Sequence, residues 1–203
     1  MRPCSRGPAP EPLLSHGEEW SREFAEKRAA DPACRFNWKS YAGTPVNRTI
    51  LSTLRAMTSG HCAYCDGFPL DVVSDPTIDH FRPKSDFPEL AYIWTNLYLS
   101  CEKCQSEKTD LFEEALLRPD EGGYAFSRYF VYQEKSGELS PHPGAPLEDQ
   151  RRAETTLRLL GLNRGGRPVA RRRELQRFLR LPVEERREQF DSCPYRFLLE
   201  SEM

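Results

Sequence analysis

Two Cys-x-x-Cys pairs, Cys62-Ala63-Tyr64-Cys65 and Cys101-Glu102-Lys103-Cys104, constrain this chain more than any other feature. Each pair turns the backbone tightly enough to offer two sulfurs to one ion. Two such pairs complete a tetrahedral Cys4 set, for which Zn2+ is the usual occupant. A set closed in this way is structural, because it leaves no open position for a substrate, and any chemistry has to lie elsewhere. Four buried free cysteines are the bland alternative; a redox dithiol would not need a second pair. Cys4, Cys34 and Cys193 have no matching spacing and read as ordinary thiols.

Composition fits that reading. The chain has 203 residues, 38% hydrophobic and 30% charged, enough to build a core under a heavily charged surface. No run of about 18 apolar residues is present, so no membrane span is expected. The first residues carry no apolar leader stretch, and with reduced thiols this predicts a soluble cytoplasmic protein. Charge is unevenly spread: residues 1–60 carry +3, residues 61–120 carry −7 and residues 121–203 carry +2. Within the last block, 151–180 hold ten arginines against Glu154 and Glu174. That cluster suits phosphates, and equally an acidic partner or the outer faces of helices built on Leu157, Leu160, Leu175, Phe178 and Leu179.

Along the chain, the prolines of residues 1–14 predict an extended arm. Trp20, Phe24 and Lys27 predict a helix over 18–30, stopped at Asp31-Pro32. A second helix is expected from Thr44 as cap and Pro45 as first position, with Ile50, Leu51, Leu54 and Met57 as its apolar stripe before Gly60. Strand-like runs fall at 71–73, 77–81 and 96–100. A hairpin is expected over 124–140 with its turn near 135–137. Helices follow at 147–160, ended by Gly161, then at 168–180, at 183–190 and near the C-terminus. This divides into an arm with helices at 1–60, a cysteine-bounded core at 61–118, and a hairpin with Arg-rich helices at 119–203, together forming one unit.

Between the cysteine pairs lie Asp79-His80 and Asn96-Leu97, and Gln105 directly follows the last cysteine. In this order the chain resembles the HNH, or ββα-metal, nucleases. Wider resemblance, carried by Arg6-Gly7-Pro8, by His80-Phe81-Arg82-Pro83-Lys84-Ser85, by Gln105 and by the run Thr155 to Asn163, is to the HNH proteins of Septu-type and retron-associated anti-phage systems. It implies an α+β fold: a zinc-stapled ββα core with N- and C-terminal helical extensions. It also implies a nuclease subunit working on DNA beside an ATPase. Gln105 aligns with the family's second metal ligand, usually Asn or His, and either ligates directly or through a water.

The chemistry can be argued from the residues as well. Phosphodiester hydrolysis needs a base for the attacking water and a cation for charge on the phosphate and leaving oxygen. His80 suits the base, since imidazole titrates near neutrality. Asp79 offers a hard oxygen to Mg2+ or Mn2+. Consecutive strand residues face opposite ways, so a bend or strand end is required at Asp79-His80 if both are to reach one site. Asn96 is expected to hold the loop between the strands and so orient His80. Arg82 and Lys84 are candidate phosphate contacts, and Lys108 a residue that supports the fold. The expectation is therefore an HNH endonuclease of anti-phage defence. Its rival is a non-catalytic zinc module that binds nucleic acid or a partner protein, and RNA cleavage is an alternative within the enzymes.

Overall fold

The structure is a computed structural model that describes residues 1–72 and 74–203. Its helices are α1 (Glu11–Ala30), α2 (Val46–Thr58), α3 (Glu102–Lys108), α4 (Phe126–Tyr129), α5 (Leu147–Leu159), α6 (Arg167–Leu179), α7 (Val183–Gln189) and α8 (Arg196–Leu199). Its strands pair as three antiparallel hairpins: β1 (Ser40–Tyr41) with β2 (Thr44–Pro45), β3 (Pro76–His80) with β4 (Leu97–Cys101), and β5 (Phe130–Gln133) with β6 (Glu138–Pro141). The fold is α+β. Among the described residues no helix is long and apolar enough to cross a membrane.

The central hairpin positions everything else. All five residues of β4 are buried, as expected for a strand covered on both faces. Helix α2 packs against it and inserts Val46, Ile50 and Leu54, each fully buried. Helix α3 follows β4 without a loop, because the Cys101 thiol caps it by accepting a hydrogen bond from the Cys104 amide. The β3–β4–α3 sequence is the ββα unit.

Several local expectations shift. Helix α1 starts at Glu11 rather than 18, with Pro10 as cap and Pro12 in the first turn. Proline is tolerated there because first-turn amides have no helical partner. Thr44 and Pro45 belong to β2, and no side chain caps α2. Asp71 and Val72 lie in a turn, not a strand, and Val73 lies outside the described residues. The hairpin expected from 124 begins at Phe130, since 126–129 coil into α4.

Contacts from both flanks converge on the ββα unit. From the N-terminal side, α1 approaches the β3–β4 loop so closely that a Cβ on Gly17 would lie 2.8 Å from the Tyr92 carbonyl oxygen. Ser21 Oγ accepts a 2.9 Å hydrogen bond from the Tyr92 amide. Arg6, in the segment expected to be an extended arm, donates to the Trp94 and Leu97 carbonyls and pairs with Asp120 at 2.5 Å. From the C-terminal side, buried Arg196 of α8 clamps the Asp66 carboxylate at 2.7 Å, just after the first cysteine pair. Arg171 of α6, fully buried, donates to the Gly137 and Leu162 carbonyls and to Asn163. Gly137 has φ +79° and a Cβ there would fall 2.1 Å from the Pro168 carbonyl oxygen, so the turn and the approach of α6 both demand glycine.

Most of the arginine cluster finds partners within the molecule while Arg151, Arg158, Arg164, Arg172 and Arg177 remain exposed, which fits the reading as outer faces of helices without closing the other two. Arg151, Arg152, Arg158, Arg164 and Arg177 pair with Glu148, Glu121, Glu113, Glu107 and Glu174. Arg167 and Arg171 are buried on backbone carbonyls, and Arg172 donates to the Lys135 carbonyl. A carboxylate at ion-pair distance offers a guanidinium what a phosphate would.

Candidate active site

At the end of the hairpin where β4 runs into α3, the Sγ atoms of Cys62, Cys65, Cys101 and Cys104 all lie within 4.8 Å of one another. Among the described residues this is the sole grouping of three or more Cys, His, Asp or Glu ligand atoms so close. Tetrahedral zinc with Zn–S bonds of about 2.3 Å sets sulfurs about 3.8 Å apart, and Cys65 and Cys101 stand at 3.7 Å. The four residues fit zinc. Four thiolates around a dication leave an anionic cluster. Arg167 answers it with a guanidinium 3.3 Å from Cys104 Sγ, a role hidden in sequence by its membership of the arginine run. His61 takes no part: its Nδ1 and Nε2 face the Ser59 and Cys193 carbonyls.

The opposite end of the hairpin holds Asp79 and His80. His80 is the last residue of β3, and the chain bends at once after it. The strand end expected at this position is present. Asp79, His80, Lys84 and Gln105 line one pocket of about 140 Å3, together with Pro83, Thr109 and Asp110. Asp110, just beyond α3, is a carboxylate that sequence reasoning missed; nothing in its spacing marked it.

His80 is 6% exposed and its Nε2 stands 2.9 Å from the Ala91 carbonyl oxygen. A carbonyl only accepts, so Nε2 carries the proton and Nδ1 keeps its lone pair. Phe36 meets the ring edge-on at 5.3 Å and Trp38 stacks on it at 5.7 Å. Neither aromatic was singled out in the sequence, because the segment bringing them, 31–39, lies far from the motif in the chain. Burial, with the positive charges of Lys84 and Lys108, lowers the His80 pKa to about 3. The expectation of an imidazole titrating near neutrality is corrected: this ring is held neutral, the state in which it can accept a proton.

Asn96 does not reach the pocket. Its Oδ1 accepts from the Arg82 amide at 2.8 Å, and its Nδ2 donates to the Arg82 and Leu90 carbonyls at 3.0 and 3.1 Å. One side chain thus ties the bend after His80 to the residue before Ala91, whose carbonyl fixes the imidazole. Tyr64 donates to Asp79 Oδ2 at 2.7 Å, and Lys108, fully buried, stands 3.2 Å from the same oxygen. Lys108 also donates to the His80 carbonyl at 2.7 Å. Burial raises the Asp79 pKa, opposed by Lys108 and by the Tyr64 hydrogen bond. Among the described residues no hydrogen bond reaches Asp79 Oδ1. That free oxygen, with the Gln105 amide and the Asp110 carboxylate on the same pocket, is a donor set suited to a hard divalent cation that keeps several of its waters.

The two candidate phosphate contacts part company. Lys84 lines the pocket, whereas Arg82 pairs with Glu114 at 2.8 Å and lies over Phe87 and Phe112, so the structure does not bring its guanidinium into the site.

Comparison with known proteins agrees with the motif order. Residues 62–111 match the family model described as HNH endonuclease. The Septu protein PtuB of Bacillus thuringiensis is 27% identical over 113 residues, which is 55% of this chain and 39% of that protein. The chain thus spans about two fifths of the length of the curated relative it matches. Its ββα unit is an HNH domain with a four-cysteine zinc-binding group, and the chain resembles the proteins of Septu defence systems.

Proposed function

We propose that this chain is a metal-dependent endonuclease that hydrolyses DNA phosphodiester bonds in anti-phage defence. The observation that carries the reading is the convergence of Asp79, His80 and Gln105 on one pocket, with the imidazole oriented by a backbone carbonyl. A purely structural zinc module has no need of a buried, oriented histidine beside a carboxylate.

The residues divide the work. His80 Nδ1 takes the proton from the attacking water, while its Nε2–H stays on the Ala91 carbonyl and leaves Nδ1 as the basic nitrogen. A base held near pKa 3 is weak in isolation, and the arriving phosphate anion raises its basicity where the proton is to be taken. Asp79, with Gln105 directly or through water, would hold Mg2+ or Mn2+, which would supply charge stabilisation on the phosphate and the leaving oxygen. Lys84 offers its ammonium to a non-bridging oxygen. Asn96 is a positioning residue, acting through the bend and the Ala91 carbonyl. Lys108 and Tyr64 hold the Asp79 carboxylate at one oxygen and leave the other for the cation.

The resemblance to Septu proteins further suggests an ATPase partner and action in the cytoplasm. Plasmid nicking with added Mg2+ or Mn2+ tests the activity. Wild type should nick the plasmid, and His80→Ala should lose about 10²-fold or more of the rate while retaining its zinc. Equal nicking by both proteins would remove His80 from the reaction. An inert wild type, with and without a co-expressed ATPase, would leave the binding module as the better reading.

A further inference from the structure

A second cavity, of about 290 Å3, adjoins the pocket of Asp79 and His80. Lys84 and Asp110 line both, so the two meet across these side chains. The far wall does not come from the ββα unit. It is built by Phe24 and Arg28 of α1 and by Arg35 and Phe36 of the segment that follows. Arg28 secures that segment by donating to the Pro32 and Cys34 carbonyls.

Its chemistry is specific in three respects. First, Arg28, Arg35 and Lys84 face Asp110 as the sole carboxylate, and Asp110 stands at the junction where the divalent cation is expected. Arg35 is exposed, and among the described residues its guanidinium has no ion-pair or hydrogen-bond partner. Second, Ser85 Oγ is buried without a hydrogen-bond partner while Ser85 lines the cavity; such a group calls for a polar ligand. Third, the Phe36 ring lies 5.3 Å edge-on from His80 and 5.5 Å beneath the Lys84 ammonium, which ties the wall to the base. Positive charge also continues outward. A third cavity shares Phe24, Cys34 and Arg35 with the second and adds Lys27, together with Lys39 and Glu23, which pair with each other at 2.5 Å.

We propose that the nucleic-acid strand flanking the scissile phosphate runs through this cavity, with its phosphates held by Arg35 and Lys84. The inference rests on the nuclease reading above and deepens it, since it gives the segment around residues 28–36 a substrate-binding role that the HNH domain alone does not supply. Three cations against one carboxylate, in a cavity that meets a pocket suited to a phosphodiester, favour a sugar–phosphate backbone over an acidic peptide.

The test uses the full zinc-loaded chain and a short fluorescein-labelled DNA duplex, with binding followed by anisotropy over a salt series without added divalent cation. Arg35→Glu should weaken binding about tenfold or more and make the salt dependence shallower by about one counterion. Arg35→Lys should stay close to wild type. Arg173→Glu makes the same charge change beside the zinc cluster and should leave binding within about twofold by the same electrostatic argument. In cleavage, Arg35→Glu should raise KM and leave kcat largely unchanged. Zinc content and melting temperature should not move in any variant, because Arg35 is exposed; were Arg35→Glu misfolded, Arg35→Ala serves in its place. Unchanged binding and KM in Arg35→Glu, or in Arg35→Ala where it stands in, with a wild type that cleaves DNA would overturn this inference alone, as would an equal loss in Arg173→Glu. A wild type that neither binds nor cleaves DNA would overturn the nuclease reading and this inference with it.

Discussion

At one end of the β3–β4 hairpin stand four sulfurs supplied by two short turns of chain. At the other stands a histidine placed by groups from distant segments: Phe36 and Trp38 from before the core, the Ala91 carbonyl and the loop tied by Asn96 between the strands, and Gln105, Lys108 and Asp110 at and beyond α3. Both ends belong to one small ββα unit, yet they rest on different physics. The sulfur end gains its free energy from metal–ligand bonds, which are strong, local and set by the spacing of four residues. The histidine end is held by packing and by buried hydrogen bonds, each worth little alone and costly to leave unmade. Damage to the first should therefore remove the fold, whereas damage to the second should remove activity in graded steps.

The largest effect is expected at the sulfurs. Cys104→Ser, or removal of zinc by a strong chelator, should abolish cooperative unfolding and bound zinc together, because zinc binding and folding of such a core are one free energy. Zinc content measured beside circular dichroism checks this. A zinc-free protein that kept its melting transition would contradict the division drawn here.

An intermediate effect is expected at Asn96. Asn96→Ala frees the bend at Arg82 and the loop at Leu90, so the imidazole loses its fixed direction while remaining present. Small misplacements of a reacting group cost up to about 10²-fold in rate. The rate should fall by about that factor with zinc unchanged. If Asn96→Ala cleaves as fast as wild type, the loop does not position His80.

How much of this was legible in the sequence follows the same line. Cys62, Cys65, Cys101 and Cys104 could be paired from spacing alone, and the order Asp79-His80, Asn96, Gln105 suggested the site because these residues sit on adjoining pieces of one motif. Phe36 and Trp38 could not be found that way: they pack on Tyr92 of the interstrand loop, against which α1 closes at Gly17 and Ser21. Composition left the arginines undecided among phosphates, an acidic partner and the outer faces of helices. Most of the run from Arg151 to Arg180 pairs with glutamates or carbonyls whose proximity no local pattern records. The start of α1 was misplaced because Pro10 and Pro12 read as breakers, although the first turn accepts them.

The smallest effect is expected at Asp120, which supports the start of β4 from outside the motif. Burial alone would raise its pKa, but hydrogen bonds from Tyr98, Arg6 and Arg118 outweigh it and lower the value below 3.8. A lowered folded value adds stability that is complete above the unfolded pKa and is lost as pH falls through the folded one. Asp120→Asn should therefore cost about 1–3 kcal/mol at pH 7. The gap to wild type in urea unfolding should be the same at pH 5 and close only below pH 3.8. Loss of zinc in acid affects both proteins alike and drops out of the difference.

The central claim is that one hairpin carries two chemically distinct metal positions, one of sulfur and one of oxygen beside His80. Anomalous diffraction from a crystal of the zinc-loaded chain soaked with Mn2+, recorded at the zinc and manganese absorption edges, tests it most directly. The account predicts a zinc peak enclosed by Cys62, Cys65, Cys101 and Cys104, and a separate manganese peak against Asp79 Oδ1 on the Gln105 side of the pocket. Manganese found only among the sulfurs, or no peak beside Asp79 in a soaked crystal, would contradict it.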